Sequence, residues 1–180
     1  MASIKGFQMK SVKQTLGREG YGCTATLYLN GKKIGTYADY GDGGCEDVTY
    51  VSKDAEKAMM KIIIEYAKEH PDEYIVDLYK KRTEQYEEEC QRFKKYNPYI
   101  PDEDITIETM SANSIVYIVD EFLNLLELEK YFKKYRKKGY KAISVKNNEV
   151  IAYPTSWTDE NIKKEAEGKT LYTSLDDFCK

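Results

Sequence analysis

Apolar and polar positions alternate with a period of two along the first 51 residues, a pattern that predicts β-strands. Asn30-Gly31 predicts a type I′ turn, because both central positions of that turn need positive φ, which Asn and Gly adopt most readily. With the turn at these residues, Leu27 lies opposite Ile34 on one face. The same register pairs Ala25 with Thr36, Cys23 with Ala38, Tyr28 with Lys33 and Thr24 with Tyr37. A second turn at "GDGG" leads into "CEDVTYV", so we expect an antiparallel meander of three or four strands.

Helical spacing replaces this alternation after residue 52. Ser52 is expected to cap a helix over 53–69, and a second helix is predicted over 73–96. A third covers roughly 111–138, with a break near Glu127 left open and Gly139 as its stop. A hairpin around Asn147-Asn148, a short helix in "TDENIKKEAEG" and a strand in "KTLYTSL" complete the chain. The predicted fold is α+β: an N-terminal antiparallel β-meander covered by helices, with a C-terminal helix and β-hairpin.

The stretch "NPYIPDEDITIE" carries two prolines and several acids, which is typical of a linker. It divides the chain into an N-terminal part over 1–97, an acidic linker over 98–110 and a C-terminal part over 111–180. We expect these parts to pack as one compact unit.

The glycine-rich loops "GREGYG" and "GDGG" match neither a phosphate-binding loop nor a calcium loop. The chain has no G-x-x-x-x-G-K-[ST] motif, and the loops lie between strands rather than between a strand and a helix. The nearby acids lack the spacing of a calcium loop. The glycines are therefore expected to serve turns.

Catalytic chemistry has few candidates in this sequence. His70 is the single histidine and precedes a proline at a predicted helix end, which argues against Ser-His-Asp, Cys-His and multi-histidine metal sites. The four cysteines form no C-x-x-C pair. A carboxylate nuclease has only weak support, since Glu167-Gly168-Lys169 falls in a predicted turn. We expect no catalytic residues, no metal site and no cofactor.

The N-terminal residues lack the apolar core of a secretory signal, and no window approaches the length of a membrane span. These patterns predict a cytoplasmic protein without membrane contact.

Charge is strongly segregated along the chain, although the net charge is only -3. Residues 39–129 contain 23 acids and 10 bases, whereas residues 130–147 contain eight bases and no acid. Such segregation favours a macromolecular partner over a small-molecule substrate.

The basic block forms a stripe on the third predicted helix. Its lysines follow a spacing of i, i+3, i+4, i+7 and i+8, and they are Lys130, Lys133, Lys134, Lys137 and Lys138. Tyr131, Phe132 and Tyr135 are expected to turn towards the core. The stripe fits a solvated helix face as well as a surface for a phosphate backbone or a charged protein groove.

The acidic block has two interpretations as well. The turn acids Asp39, Asp42, Glu46 and Asp47 and the linker acids Asp102, Glu103 and Asp104 are candidates for binding a basic partner. Asp42, Glu46, Asp47 and the three linker acids lack local partners in the sequence. The helix glutamates are expected to be paired instead, Glu84 with Lys80 and Glu88 with Arg92. Free acids next to tyrosines can imitate nucleic acid, but they also serve solubility.

The stretch "VKQTLGREGYGCTATLYLNGKKIGTYADYGDGG", followed by the helix "EKAMMKIIIEYAKE", resembles type II-A anti-CRISPR proteins. These are small proteins carried by phages and mobile elements of Gram-positive gut bacteria. The resemblance covers about the first 70 residues, together with length and composition, and brings no catalytic residues with it.

This resemblance implies a non-catalytic inhibitor that binds the CRISPR RNA-guided DNA endonuclease of the host, with its guide RNA bound, and blocks the binding or cleavage of target DNA. Such effectors have a positively charged channel that an acidic, tyrosine-rich surface could occupy. The alternative function is a nucleic-acid-binding accessory protein of a phage or mobile element, which would use the lysine stripe and its tyrosines.

Overall fold

The computed structural model describes residues 1–147 and 149–180, and its chain divides into two compact units. The larger unit comprises residues 5–120, and the smaller unit comprises residues 1–4 and 121–180. The boundary lies inside a helix rather than in the segment 98–110, where the sequence suggested a linker.

A four-stranded antiparallel sheet opens the larger unit, with β1 (Phe7–Leu16), β2 (Tyr21–Leu29), β3 (Lys32–Ala38) and β4 (Asp47–Tyr50) in that order. This confirms the predicted meander. Asn30 and Gly31 have φ values of 49° and 77°, as the predicted turn requires. Leu29 and Tyr28 therefore pair with Lys32 and Lys33 directly beyond the turn.

The register predicted farther from this turn is wrong by one residue. A bulge after Lys33 pairs Leu27 with Gly35 and Ala25 with Tyr37. The extra residue is accommodated at Ile34, which stays buried, and Tyr37 joins the buried face instead of lying opposite Thr24. The free energy gained by burying this large aromatic ring outweighs the loss of the regular hydrogen-bond ladder that the turn alone would give.

Helix α1 (Lys53–Glu69) begins where predicted and packs against β3 and β4. The Ser52 side chain accepts a hydrogen bond from the Ala55 N–H at 3.1 Å, which caps the helix. Met59, Ile63 and Tyr66 are buried, as their spacing predicts. The helix therefore covers one part of the sheet with its apolar stripe.

The predicted helix over 73–96 is two helices, α2 (Glu73–Lys81) and α3 (Thr83–Tyr96), separated by Arg82. Helix α2 buries Val76 and Tyr79, whereas α3 buries no residue. The stretch thus changes from a packed helix to an exposed one at the break.

The segment 98–110 is built into the larger unit. It contains a 3₁₀ turn (Asp102–Asp104) and the start of α4 (Ile107–Ser111), which packs against α1, α2 and α3. Thr106 and Thr109 cap α4 reciprocally, and Ile100 and Met110 are buried. Its apolar residues and this capping pair outweigh the linker signal of its prolines and acids.

Helix α5 (Ile115–Lys137) runs without a break at Glu127, and the boundary between the units falls at residues 120 and 121 within it. The rest of the smaller unit contains β5 (Tyr140–Lys146), β6 (Glu149–Pro154), α6 (Asp159–Glu165), β7 (Thr170–Tyr172) and a 3₁₀ turn (Asp176–Phe178). The strands form an antiparallel sheet in the order β6-β5-β7, which confirms the C-terminal helix and hairpin. Asn148, half of the predicted hairpin turn, lies outside the described residues.

The smaller unit has its own apolar core. Phe178 stacks on Tyr172 at 4.6 Å between ring centroids and lies 5.5 Å from Phe132. Residues 1–4 join this unit through a parallel bridge between Ser3 and Cys179.

Candidate functional site

The turn acids Asp39 and Asp42 are internal partners of the glycine-rich loops. The Asp39 carboxylate accepts a hydrogen bond from the Gly41 N–H at 2.8 Å, and Asp42 accepts one from the Arg18 N–H at 2.9 Å. The Arg18 guanidinium also lies 3.9 Å from Asp42. The sequence suggested that Asp42 has no partner, which is wrong, because the partner lies 24 residues away in the preceding loop. Glu46 and Asp47 form no ion pair within residues 1–147 and 149–180.

Two of the three linker acids are paired as well. Asp102 forms an ion pair with Lys94 of α3, and Asp104 forms one with Lys68 of α1. Glu103 is exposed and makes no ion pair with any residue that the structure describes. The expectation that the linker acids lack partners is therefore wrong for Asp102 and Asp104, since the chain folds this segment back onto α1 and α3.

The helix glutamates differ from the prediction in the opposite direction, because they are predicted to be paired and are not. The break at Arg82 puts Lys80 and Glu84 on different helices, and neither the Glu84–Lys80 pair nor the Glu88–Arg92 pair forms among the described residues. Glu84, Glu87 and Glu88 are exposed on α3. The free acidic side chains of the larger unit thus include these three glutamates, of which the sequence predicts Glu84 and Glu88 to be paired.

The two units also differ in net charge. The larger unit contains 16 bases and 21 acids, and the smaller unit contains 12 bases and 10 acids. The excess of acids therefore lies in the larger unit, and a basic macromolecule would be attracted more strongly to that unit than to the smaller one.

The five lysines of the stripe line one shallow depression of about 430 Å³ in the smaller unit, called here the lysine depression. They are Lys130, Lys133, Lys134, Lys137 and Lys138. Phe132 is buried, while Tyr131 is exposed and Tyr135 is half-buried with its ring 5.5 Å from that of Tyr140. The predicted inward direction is therefore confirmed for Phe132 and wrong for Tyr131.

Lys133 differs from the other lysines because it neutralises a buried carboxylate. Its ammonium lies 2.8 Å from Glu129, which is only 2% exposed, and the Ala2 N–H donates to the other oxygen of Glu129 at 3.2 Å. Burial by itself would raise the pKa of Glu129, but Lys133, the Ala2 N–H and the N-terminal ammonium, which lies 3.3 Å from the carboxylate, outweigh it and hold that pKa below its ordinary value. Glu129 is a residue that the sequence did not single out, although its i, i+4 spacing to Lys133 is a visible signal.

A second group of cations, also missed from the sequence, lines a cleft of about 330 Å³ in the smaller unit. Arg136, Lys141 and Lys163 surround a floor that includes Ile162 and Leu171. Lys141 is held by Asp159 at 2.7 Å, whereas Arg136 and Lys163 form no ion pair within the described part of the chain. This cleft adds positive charge to the unit that carries the lysine depression.

His70 ends α1, where its N–H donates to the Tyr66 carbonyl and its ring lies 4.5 Å from the Tyr66 ring. All four cysteines are free, and burial, with Asp39 and Asp120 nearby, raises the pKa of the Cys23 thiol. Within the described residues, no three His, Cys, Asp or Glu side chains are grouped so that they could hold a metal ion.

Over the same residues, no helix has both the length and the apolar character that crossing a bilayer requires. Comparisons of this chain with protein-family models, with curated proteins and with solved structures find no match.

Proposed function

We propose that this protein is a non-catalytic inhibitor that binds a type II CRISPR RNA-guided DNA endonuclease in the cytoplasm of a bacterial host and blocks its use of target DNA. The resemblance of residues 12–44 and 56–69 to type II-A anti-CRISPR proteins suggests the partner. The observation that carries the proposal is the exposed acidic face of α3, formed by Glu84, Glu87 and Glu88.

The free state of these glutamates favours binding to a cationic groove. A carboxylate that already has a lysine or arginine partner must give up that ion pair on docking, whereas a hydrated free carboxylate only loses water. Glu84, Glu87 and Glu88 form no ion pair in the described part of the chain, and α3 buries none of its residues against the larger unit. The helix therefore presents negative charge without a structural role that competes with binding.

The positively charged channel of an RNA-guided endonuclease is a suitable counterpart for this face. Occupation of the channel competes directly with the DNA backbone, so inhibition needs no bond to be broken. The protein would act stoichiometrically, and negative charge would accelerate its association with the effector.

The test is cleavage of a target duplex by purified guide-loaded endonuclease at increasing concentrations of this protein. The variant E84K/E88K should inhibit at least about tenfold less well than wild type, because like charges then face each other. A matched control is E160K/E167K, which changes the net charge equally on exposed acids of the smaller unit. Failure of wild-type protein to inhibit at molar excess would contradict the proposed function. Equal inhibition by E84K/E88K and wild type would remove α3 as the interface.

A second candidate function is direct binding of nucleic acid, and it is favoured by the lysine depression. Four of its five lysines make no ion pair among the described residues, which leaves them available for phosphate groups. Binding of a short duplex or of the guide RNA by the isolated protein at low salt tests this candidate.

A further inference from the structure

The two glycine-rich loops at one end of the four-stranded sheet are tied to each other by backbone groups. The Glu19 N–H donates to the Gly41 carbonyl at 2.8 Å, while within the first loop the Gly17 N–H donates to the Gly20 carbonyl at 2.9 Å. The Glu19–Gly41 and Arg18–Asp42 hydrogen bonds join the loop after β1 to the loop after β3. We call residues 16–22 and 39–44 the glycine-locked tip.

Three glycines of the tip leave no space for a side chain. An ideal Cβ on Gly17 would lie 2.2 Å from the Tyr40 carbonyl oxygen, and one on Gly22 would lie 2.2 Å from the Asp39 carbonyl oxygen. A Cβ on Gly41, whose φ is +67°, would lie 2.3 Å from the Gly20 oxygen. The glycines therefore allow backbone to pack directly on backbone, which an ordinary turn between two strands does not need.

Three large side chains on this closely packed backbone are exposed to solvent. Leu16 is 74% exposed, Tyr21 is 82% exposed and Tyr40 is 56% exposed. Leu16 and Tyr21 are direct cross-strand partners, so their side chains lie on the same face of the β1–β2 pair. Tyr40 stands on the neighbouring loop, with its backbone against Gly17.

Exposed aromatic side chains on a fixed backbone are effective binding anchors, because little conformational entropy is lost when they dock. The fold itself does not gain from holding them in water. We propose that the glycine-locked tip is a contact by which this protein docks onto a positively charged surface of a protein partner, with Tyr21 and Tyr40 as its anchors.

Charge identifies the kind of partner. The tip and the start of β4, over residues 16–22 and 39–47, carry one base, Arg18, against five acids. The acids are Glu19, Asp39, Asp42, Glu46 and Asp47. Two copies of this surface would repel each other, whereas a basic protein groove is complementary to it. The inference rests on the proposed function, since it assigns this contact to the guide-loaded endonuclease.

The experiment measures binding of the full chain to guide-loaded endonuclease. The variant Y21S/Y40S should bind at least about 30-fold more weakly than wild type, as expected when two anchors are lost. The matched control is Y74S/Y131S, which removes two tyrosines that are 76% and 37% exposed on α2 and α5, outside both α3 and the tip. L16S provides a second variant of the tip, and thermal unfolding of each variant checks that the fold is kept.

The outcomes separate the two proposals. If wild-type protein binds, and Y21S/Y40S and L16S bind with the same affinity, the tip is not a contact. The proposed function is then not affected. An equal loss in Y74S/Y131S also overturns the role of the tip, because the effect would then not be specific to the tip. No binding by wild-type protein overturns both proposals together.

Discussion

Glu129 is a buried carboxylate whose charge is tied to the stability of the smaller unit. Its pKa is lowered in the folded protein: burial opposes ionisation, but Lys133, the Ala2 N–H and the N-terminal ammonium together favour it more strongly. A carboxyl with a lowered folded pKa stabilises the protein above its unfolded pKa of about 4.3, and that stabilisation is lost as the pH falls through the folded pKa. Glu129→Gln should therefore reduce the loss of stability between neutral pH and about pH 3.

Urea denaturation at a series of pH values measures this effect. Wild-type protein should lose more free energy of unfolding on acidification than the Glu129→Gln variant. Glu127→Gln is the matched control, because Glu127 is exposed on the same helix two residues away. If Glu129→Gln and Glu127→Gln show the same pH dependence, Glu129 is not the responsible group.

The burial of Glu129 was not predictable from the sequence around it. The spacing of Glu129 and Lys133 is typical of an exposed ion pair on a helix. Its second donor, the Ala2 N–H, lies 127 residues away in the chain. Long-range pairing of this kind also explains why some turn and linker acids are not free, as they were expected to be. Asp42, Asp102 and Asp104 each form an ion pair with a residue in another segment of the chain.

Helices and strands with strong local signals were predicted well. Ser52 marks the start of α1, and Asn30-Gly31 marks the turn between β2 and β3. The bulge at Ile34 and the break at Arg82 have no comparable signal, because they depend on which side chains the sheet and the neighbouring helices bury. Local chemistry thus determines where these elements begin, and tertiary packing determines their register and continuity.

The cap of α1 provides a prediction at the scale of the element. Ser52→Ala removes the acceptor for the Ala55 N–H and should lower the free energy of unfolding by about 1 kcal/mol. Ser52→Asp keeps an acceptor and adds a negative charge at the helix N-terminus, so it should retain the wild-type stability. Chemical denaturation of the three proteins checks this. A Ser52→Ala variant as stable as wild type would show that the cap does not stabilise α1.

Across the whole molecule, acid and base are divided between the units more than the net charge suggests. The free glutamates of α3 and the glycine-locked tip belong to the larger unit, and the lysine depression and the cationic cleft belong to the smaller one. The sequence predicted the two kinds of charged surface, but it did not predict which acids are neutralised. A test of function at this scale must therefore change one surface while the other keeps its charge.

The lysine depression can be tested in this way if Lys133 is left in place to neutralise Glu129. The variant K130A/K134A/K137A removes three cations of the depression, and K13A/K32A/K81A removes three exposed lysines of the larger unit as a matched control. If the depression binds nucleic acid, the first variant should lower the slope of log affinity against log salt by about one unit for each lost phosphate contact, and the control should not. Fluorescence anisotropy with a labelled duplex or guide RNA over a series of salt concentrations measures both slopes.

The inhibitor proposal predicts that K130A/K134A/K137A still blocks DNA cleavage as wild type does, because neither α3 nor the glycine-locked tip contains a residue of this set. Loss of inhibition in this variant alone would move the functional surface to the smaller unit and make nucleic-acid binding the better explanation.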